Sequence, residues 1–196
     1  MKDVPYLYPT EPVPVRLMNT IWADRHGVHD AMTTREHVQL WLDRSELGDS
    51  AKATASDVES FRELRDALRR IAADVVHDDR LAAQSKTEDL ATAISDLNTQ
   101  IGRRTPRFKR VGAASFAMVW ELEVIGVDRL RSDIAMESLA LFTGEAASRL
   151  RACHAPGCVL YFIKDHPRRE WCSARCGNRA RVARHYERHH STQASA

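Results

Sequence analysis

The chain has 196 residues, is 43% hydrophobic and carries a formal net charge of +2, so it can bury a sizeable core and is neither a low-complexity nor a polyelectrolyte sequence. No apolar run approaches the roughly 20 residues that span a bilayer, and Met1 is followed by charged and proline-rich sequence where a secretory leader needs an apolar stretch. A soluble, cytoplasmic protein is the expectation. The small net charge conceals a split, because residues 151–196 hold nine Lys/Arg against three Asp/Glu, a net of +6, and leave 20 against 24, a net of −4, to residues 1–150. The composition shift near Arg151 predicts a larger N-terminal domain over 1–150, a small basic domain over 151–190 and a disordered tail over 191–196.

In chain order, four of the seven prolines (Pro5, Pro9, Pro12, Pro14) fall in the first 14 residues and predict extended backbone. Asp24 to Asp30 reads as a polar loop before a helix. Its His26 and His29, flanked by acids, could supply a second metal site or an acid/base pair, but no third ligand is identifiable. Thr33 with Glu36 and Ser56 with Glu59 each fit a capping box. After the first, Val38, Trp41 and Leu42 form one apolar face; after the second, Val58, Phe61, Leu64, Leu68, Ile71 and Val75 continue a stripe at helical spacing. Leu90, Ile94, Leu97 and Ile101 predict a helix closed by Gly102, and Leu130, Ile134 and Leu141 one that ends at Gly144. Between them, Arg107 to Glu123 reads as a hairpin around Gly112. Trp22, Trp41 and Trp120 are either core residues or the lining of a pocket for a small-molecule effector whose chemistry the sequence does not name.

All four cysteines lie in the basic segment, as C-x4-C-x13-C-x3-C: Cys153, Cys158, Cys172 and Cys176. Two thiolates at a tight turn and two more at a helix start can meet at the corners of one tetrahedron around a structural Zn²⁺. Two disulfides would need an oxidising compartment and are usual in chains too small to build a core. Pro156 and Gly157 suit a knuckle between Cys153 and Cys158. Val159 to Ile163 is β-prone, Asp165 to Arg168 is a turn, and Glu170-Trp171 returns toward Cys172, which predicts a short hairpin. Ser173 can cap a helix that delivers Cys176 and runs to His190. The predicted fold is therefore mainly α, with a small β-hairpin in the N-terminal domain and a treble-clef-like zinc finger at the C-terminus.

Along the last helix, Arg181, Arg184, His185 and Arg188 stand at i, i+3, i+4 and i+7 and form a basic stripe. Val182 and Tyr186 lie on another face, where they are expected to pack on Tyr161, Phe162 and Trp171. With Lys164, Arg168 and Arg169 from the hairpin, the stripe suits phosphate backbones and guanine edges. Arg175 and Arg179, beside the metal, are expected to balance its thiolates, and Asn178 to bridge side chain to backbone. Simple solvation of an exposed face is the alternative for the stripe.

Cys176-Gly177-Asn178-Arg179, preceded by Trp171-Cys172-Ser173 and followed by Ala180-Arg181, resembles the CGNR zinc finger. Leu17-Met18-Asn19-Thr20, the Thr34 to Leu42 helix, Phe61 to Leu68 and Leu97-Asn98 resemble the sparse landmarks of the ABATE domain, which accompanies that finger in a family described as stress-induced transcription regulators. The resemblance implies a bacterial transcription regulator whose finger binds DNA. Glu170, where the family tends to be basic, and a short turn at His166-Pro167 shift the expected contact from hairpin to helix. A sphere filled by four cysteines argues against an enzyme, since catalytic zinc keeps an open position, and no phosphate loop, nucleophile elbow or dinucleotide fingerprint is present. A finger that binds protein or RNA, and a homodimer through the N-terminal domain, remain the other expectations.

Overall fold

The computed structural model describes residues 10–47 and 51–193, with side chains described as far as Arg188. The reading of Pro5 and Pro9 as extended, and the last three residues of the expected tail, lie outside the described residues.

Among the described residues six α-helices and three two-stranded antiparallel sheets follow in order: α1 (Val13–Met18), β1 (Ile21–Asp24), β2 (Gly27–Asp30), α2 (Arg35–Arg44), α3 (Ala55–Val76), α4 (Leu90–Ile101), β3 (Thr105–Arg110), β4 (Phe116–Glu121), α5 (Gly126–Thr143), β5 (Leu150–Ala152), β6 (Tyr161–Ile163) and α6 (Ala174–Gln193). Among the described residues no helix is long and apolar enough to cross a membrane.

The long helix α3 is the axis of the body and touches α1, α2, α4, α5 and β5. Its stripe explains this: Phe61, Leu64, Leu68, Ile71 and Ala72 are buried, with Val58 and Val75 at the margin. Phe61 meets Trp41 of α2 edge to face at 5.9 Å. From α4, Leu97 is buried but Ile94 is 46% exposed, so that helix presents a narrower stripe than its spacing suggests. Val15, Leu17 and Met18 of α1, Ile134 and Leu141 of α5, and Leu150, Ala152, Tyr161 and Ile163 of β5 and β6 complete one core. The basic segment therefore feeds its strands into the core of the N-terminal domain.

Several local expectations need correction. Pro12 and Pro14 do not hold extended chain: Pro12 precedes α1 and Pro14 sits in its first turn, where a missing N–H costs nothing. The segment from Asp24 to Asp30 is not a loop but most of a hairpin, with Trp22 opposite His29 and the two rings stacked at 4.4 Å. Both capping boxes are displaced. Thr34, not Thr33, caps α2 by accepting from the His37 N–H at 3.3 Å. Ahead of α3, the Asp57 carboxylate accepts from the Thr54 N–H at 2.7 Å, in place of Ser56 with Glu59. The hairpin in 107–123 forms as β3 and β4, and α5 ends at Gly144, where a Cβ would lie 2.8 Å from the Ala140 carbonyl oxygen.

Buried charge is concentrated on α3. Arg65 donates to Asp30 at 2.6 and 3.1 Å and to Asp66 at 2.9 Å. Arg69, fully buried, donates to the carbonyls of Met18 (3.0 Å), Ala83 (2.9 Å) and Val159 (3.3 Å), and its guanidinium lies 5.2 Å from the Tyr161 ring centre. Burial lowers its pKa.

Candidate metal centre and its basic helix

The knuckle is built at the open end of the β5–β6 ladder. Ala152 pairs with Tyr161, the Cys153 N–H donates to Leu160 O at 2.9 Å, and the Cys158 N–H closes the turn on Ala155 O at 2.9 Å. Gly157, at φ +68°, supplies the left-handed residue that turn requires. The expected partner of β6 was the segment ending at Glu170-Trp171. The ladder instead joins β6 to Leu150–Ala152, ahead of the knuckle, and residues 164–173 cross to α6 as a loop with a turn from His166 to Arg169. Ser173 caps that helix, its Oγ accepting from the Cys176 N–H at 3.3 Å.

All four cysteines are buried free thiols, and their sulfurs lie within 4.8 Å of one another. A tetrahedron with Zn–S bonds of about 2.3 Å has an edge of about 3.8 Å. The Cys158–Cys172 and Cys172–Cys176 pairs are separated by 3.8 and 3.4 Å, and the Cys172 N–H points at the Cys153 sulfur at 3.5 Å. The donor set fits a four-thiolate zinc site. Hydrogen bonding among the sulfurs holds Cys153, through Cys158, down at about 7 and pushes Cys158 and Cys172 up, both through Cys153. Among the described residues this is the one cluster of three or more potential metal-ligating side chains. His26 and His29 do not add another: His29 bonds Asp24 at 2.7 Å, and His26 accepts from the Arg25 Nε at 2.9 Å.

Around the knuckle stands a shell of polar groups from the N-terminal domain. Arg80 Nη1 donates to the carbonyl oxygens of both Cys153 and Cys158 at 2.6 Å. Asp78 grips the same guanidinium at 2.6 and 2.7 Å and accepts from the Tyr161 hydroxyl at 2.9 Å. Burial pushes the Tyr161 phenol up and would raise Asp78 too, but the bonds and charge of Arg80 hold that carboxyl below its usual value. The Asn19 side chain pairs with both the N–H and the C=O of Tyr161 at 2.9 Å. Glu11 accepts from the Ile163 N–H at 2.9 Å and from Arg169 at 2.5 Å. Trp22 packs against the apolar cluster that contains the four cysteines. Sequence reasoning missed Glu11, Asp78 and Arg80, and singled out Asn19 only within the ABATE resemblance, because no local pattern links them to cysteines 70 and more residues away.

On α6, Arg181, Arg184, His185 and Arg188 all fall on exposed positions. Arg184 lies 6.0 Å from the centre of the Trp171 ring, and the Arg188 Nε donates to Arg184 O at 3.2 Å. Val182 and Tyr186 do not pack on the finger: they are 54% and 61% exposed, because Tyr161 faces the body core and Phe162 the cysteines. Asn178 accepts from the Arg181 side chain rather than bridging to backbone. Arg179 donates to the Cys176 sulfur at 3.3 Å, whereas Arg175 is exposed. Lys164 is half-buried and Arg168 exposed. Arg169 is committed elsewhere, to Glu11, to Ile163 O at 3.0 Å and to Cys172 O at 3.2 Å, which removes it from the set offered to a phosphate. The three tryptophans do not line one pocket: Trp41 is in the core, Trp22 against the cysteines and Trp120 on the exposed β3–β4 hairpin.

A small domain whose cysteines converge at a knuckle and a helix start defines a zinc-finger class of protein. The profile of the CGNR zinc finger matches residues 149–189. That of ABATE, described as "Putative stress-induced transcription regulator", matches residues 11–145, and the chain belongs to that family. A search of curated proteins finds no match to the chain.

Proposed function

We propose that this chain is a cytoplasmic, non-enzymatic transcription regulator. Its zinc is structural, its finger is of treble-clef type, and α6 meets DNA with Arg181, Arg184, His185 and Arg188, assisted by Lys164 and Arg168. The observation that carries this reading is the arrangement of α6: its first turn supplies Cys176 to the cluster, and its following turns present exposed arginines. The candidate metal site and the basic surface thus share one helix. Four thiolates fill the zinc sphere and leave no position for a reacting water, so the metal's role is to hold the helix.

Fluorescence anisotropy of zinc-loaded protein on duplex DNA at several salt concentrations tests this. About five phosphate contacts give a slope of log affinity against log salt near −4.5, and replacing Arg181, Arg184 and Arg188 with alanine flattens it. Absence of binding at low salt, or a slope unchanged in the triple variant, refutes it. A protein-binding finger is the second reading, favoured by exposed Val182 and Tyr186 on the same helix. It predicts a partner lost on Tyr186→Ala with little response to salt.

A further inference from the structure

The β3–β4 hairpin is amphipathic in an unusual sense: among the described residues, its apolar face is left exposed. The register places Pro106 opposite Trp120, Phe108 opposite Met118 and Arg110 opposite Phe116, so these six residues share a face. On that face Phe108 is 76% exposed, Met118 63%, Phe116 55% and Trp120 44%. The Phe108 and Phe116 rings stack at 4.9 Å, 7° from parallel. The opposite face is polar at its rim, where Glu121 pairs with Lys109 at 2.8 Å and Arg107 at 3.2 Å. A two-stranded ribbon is marginal alone in water and is normally stabilised by burying one face.

We infer that a second copy of this chain covers this face, and that the β3–β4 ribbon is a two-fold dimer interface. The area supports it. At roughly 200 Å² for a large side chain, the four exposed residues present about 500 Å² of apolar surface. A standard interface buries about 800 Å² per partner, and a homodimer's is about 65% apolar, which again gives about 500 Å². Charge supports it as well. Arg107 and Lys109 pair with Glu121 on the other face, and Arg110, the one charged residue on the apolar face, donates to the carbonyls of Gly112 (2.9 Å) and Ala113. Apart from Arg110, what is left to a partner on this face is stacked aromatic and thioether surface, which is complementary to itself. A two-fold interface also counts each side chain twice, so a patch of four large residues delivers eight.

This inference does not depend on DNA binding and fails or stands separately from it. The test is sedimentation of the zinc-loaded full chain from about 1 to 100 µM, beside the double variant Phe108→Asp with Met118→Asp and the polar-face control Arg107→Ala. The expected result is a dimer for wild type and control. The double variant, with unchanged circular dichroism and zinc content, should show a dissociation constant raised at least about a hundredfold. In case the double variant folds poorly, hydrogen exchange of wild type at low and high concentration gives a second measure, with concentration-dependent protection expected over residues 105–121. A wild type of single-chain mass throughout overturns the inference. So does a double variant that dimerises as wild type does, or concentration-dependent protection confined to other segments. Loss of DNA binding by the double variant with no change in mass would assign the ribbon to nucleic acid and overturn it too.

Discussion

The N-terminal body and the C-terminal finger hold themselves together by different physics. The body buries more than twenty apolar residues around α3, with Trp41, Phe61, Leu64 and Leu68 fully enclosed. The finger's own cluster is Cys153, Ala155, Cys158, Leu160, Phe162, Cys172 and Cys176, so four of its seven buried members are the candidate metal ligands. Burial cannot carry a unit that small; ligation must. Yet the two are not independent. Leu150, Ala152, Tyr161 and Ile163 lie in the body's core, and Arg80 of the body holds the carbonyls of two cysteines. The finger is divided into a part seated in the body's core, β5 and β6, and a part that meets the body through the Arg169–Glu11 pair, the loop from residue 164 and α6, whose folding is expected to rest on metal.

The largest effect expected is that of removing zinc, since a structural zinc contributes about 10–16 kcal/mol of folding free energy in isolated fingers. Chelation should expose residues 164–190 to protease and all four thiols to a thiol reagent. Amides of α3, α4 and α5 should stay protected against hydrogen exchange, and so should those of β6. Loss of protection throughout the chain would show one cooperative unit in place of two. The opposite perturbation comes next in size. Trp41→Ala opens a cavity against Phe61 and should cost about 3–5 kcal/mol, read as a lower denaturant midpoint of the helical signal.

Smaller, but aimed at the joint itself, is Arg80→Ala. It leaves two cysteine carbonyls and the Asp78 carboxylate without their shared donor in a half-buried setting. Loss of a group that orients metal ligands typically weakens metal binding 10–100-fold. Competition with a chromophoric chelator should show that loss for Arg80→Ala and not for Arg70→Ala, whose side chain bonds Glu88 O at 2.8 Å on the exposed surface. Equal affinity in the two variants would mean that the body merely abuts the knuckle.

What the sequence revealed follows the same division. Stripes on α3 and α5 were legible because packing demands a 3.6-residue period, and the cysteine spacing because ligation demands thiolates at a turn and a helix start. Caps were misread by one or two residues, since Thr33 and Thr34, or Thr54 and Ser56, offer equivalent hydroxyls and only the backbone conformation of the cap decides. The ladder of β5 with β6 was missed because three residues, Leu150 to Ala152, are too short to show a period. Arg169 looked like one more surface cation, and its commitment to Glu11 spans 158 residues with no local signal.

The smallest expected effect concerns Gly177, the glycine of the Cys-Gly-Asn-Arg turn. In a helix interior alanine is favoured over glycine by about 1 kcal/mol, so on propensity alone Gly177→Ala should stabilise α6. A Cβ there, however, would stand 3.1 Å from Trp171 Cδ1. Trp171 is not free to yield, because it packs against the cysteine cluster on one side and lies near the Arg184 guanidinium, 6.0 Å from its ring centre. Moving the ring displaces Cys172, its neighbour in the chain. The crowding should therefore outweigh the propensity: Gly177→Ala is expected to weaken zinc binding severalfold and shift the Trp171 indole resonance, with the body's unfolding midpoint unchanged. Tighter zinc binding in the variant would show that the ring can give way, and that the glycine answers to helix geometry alone.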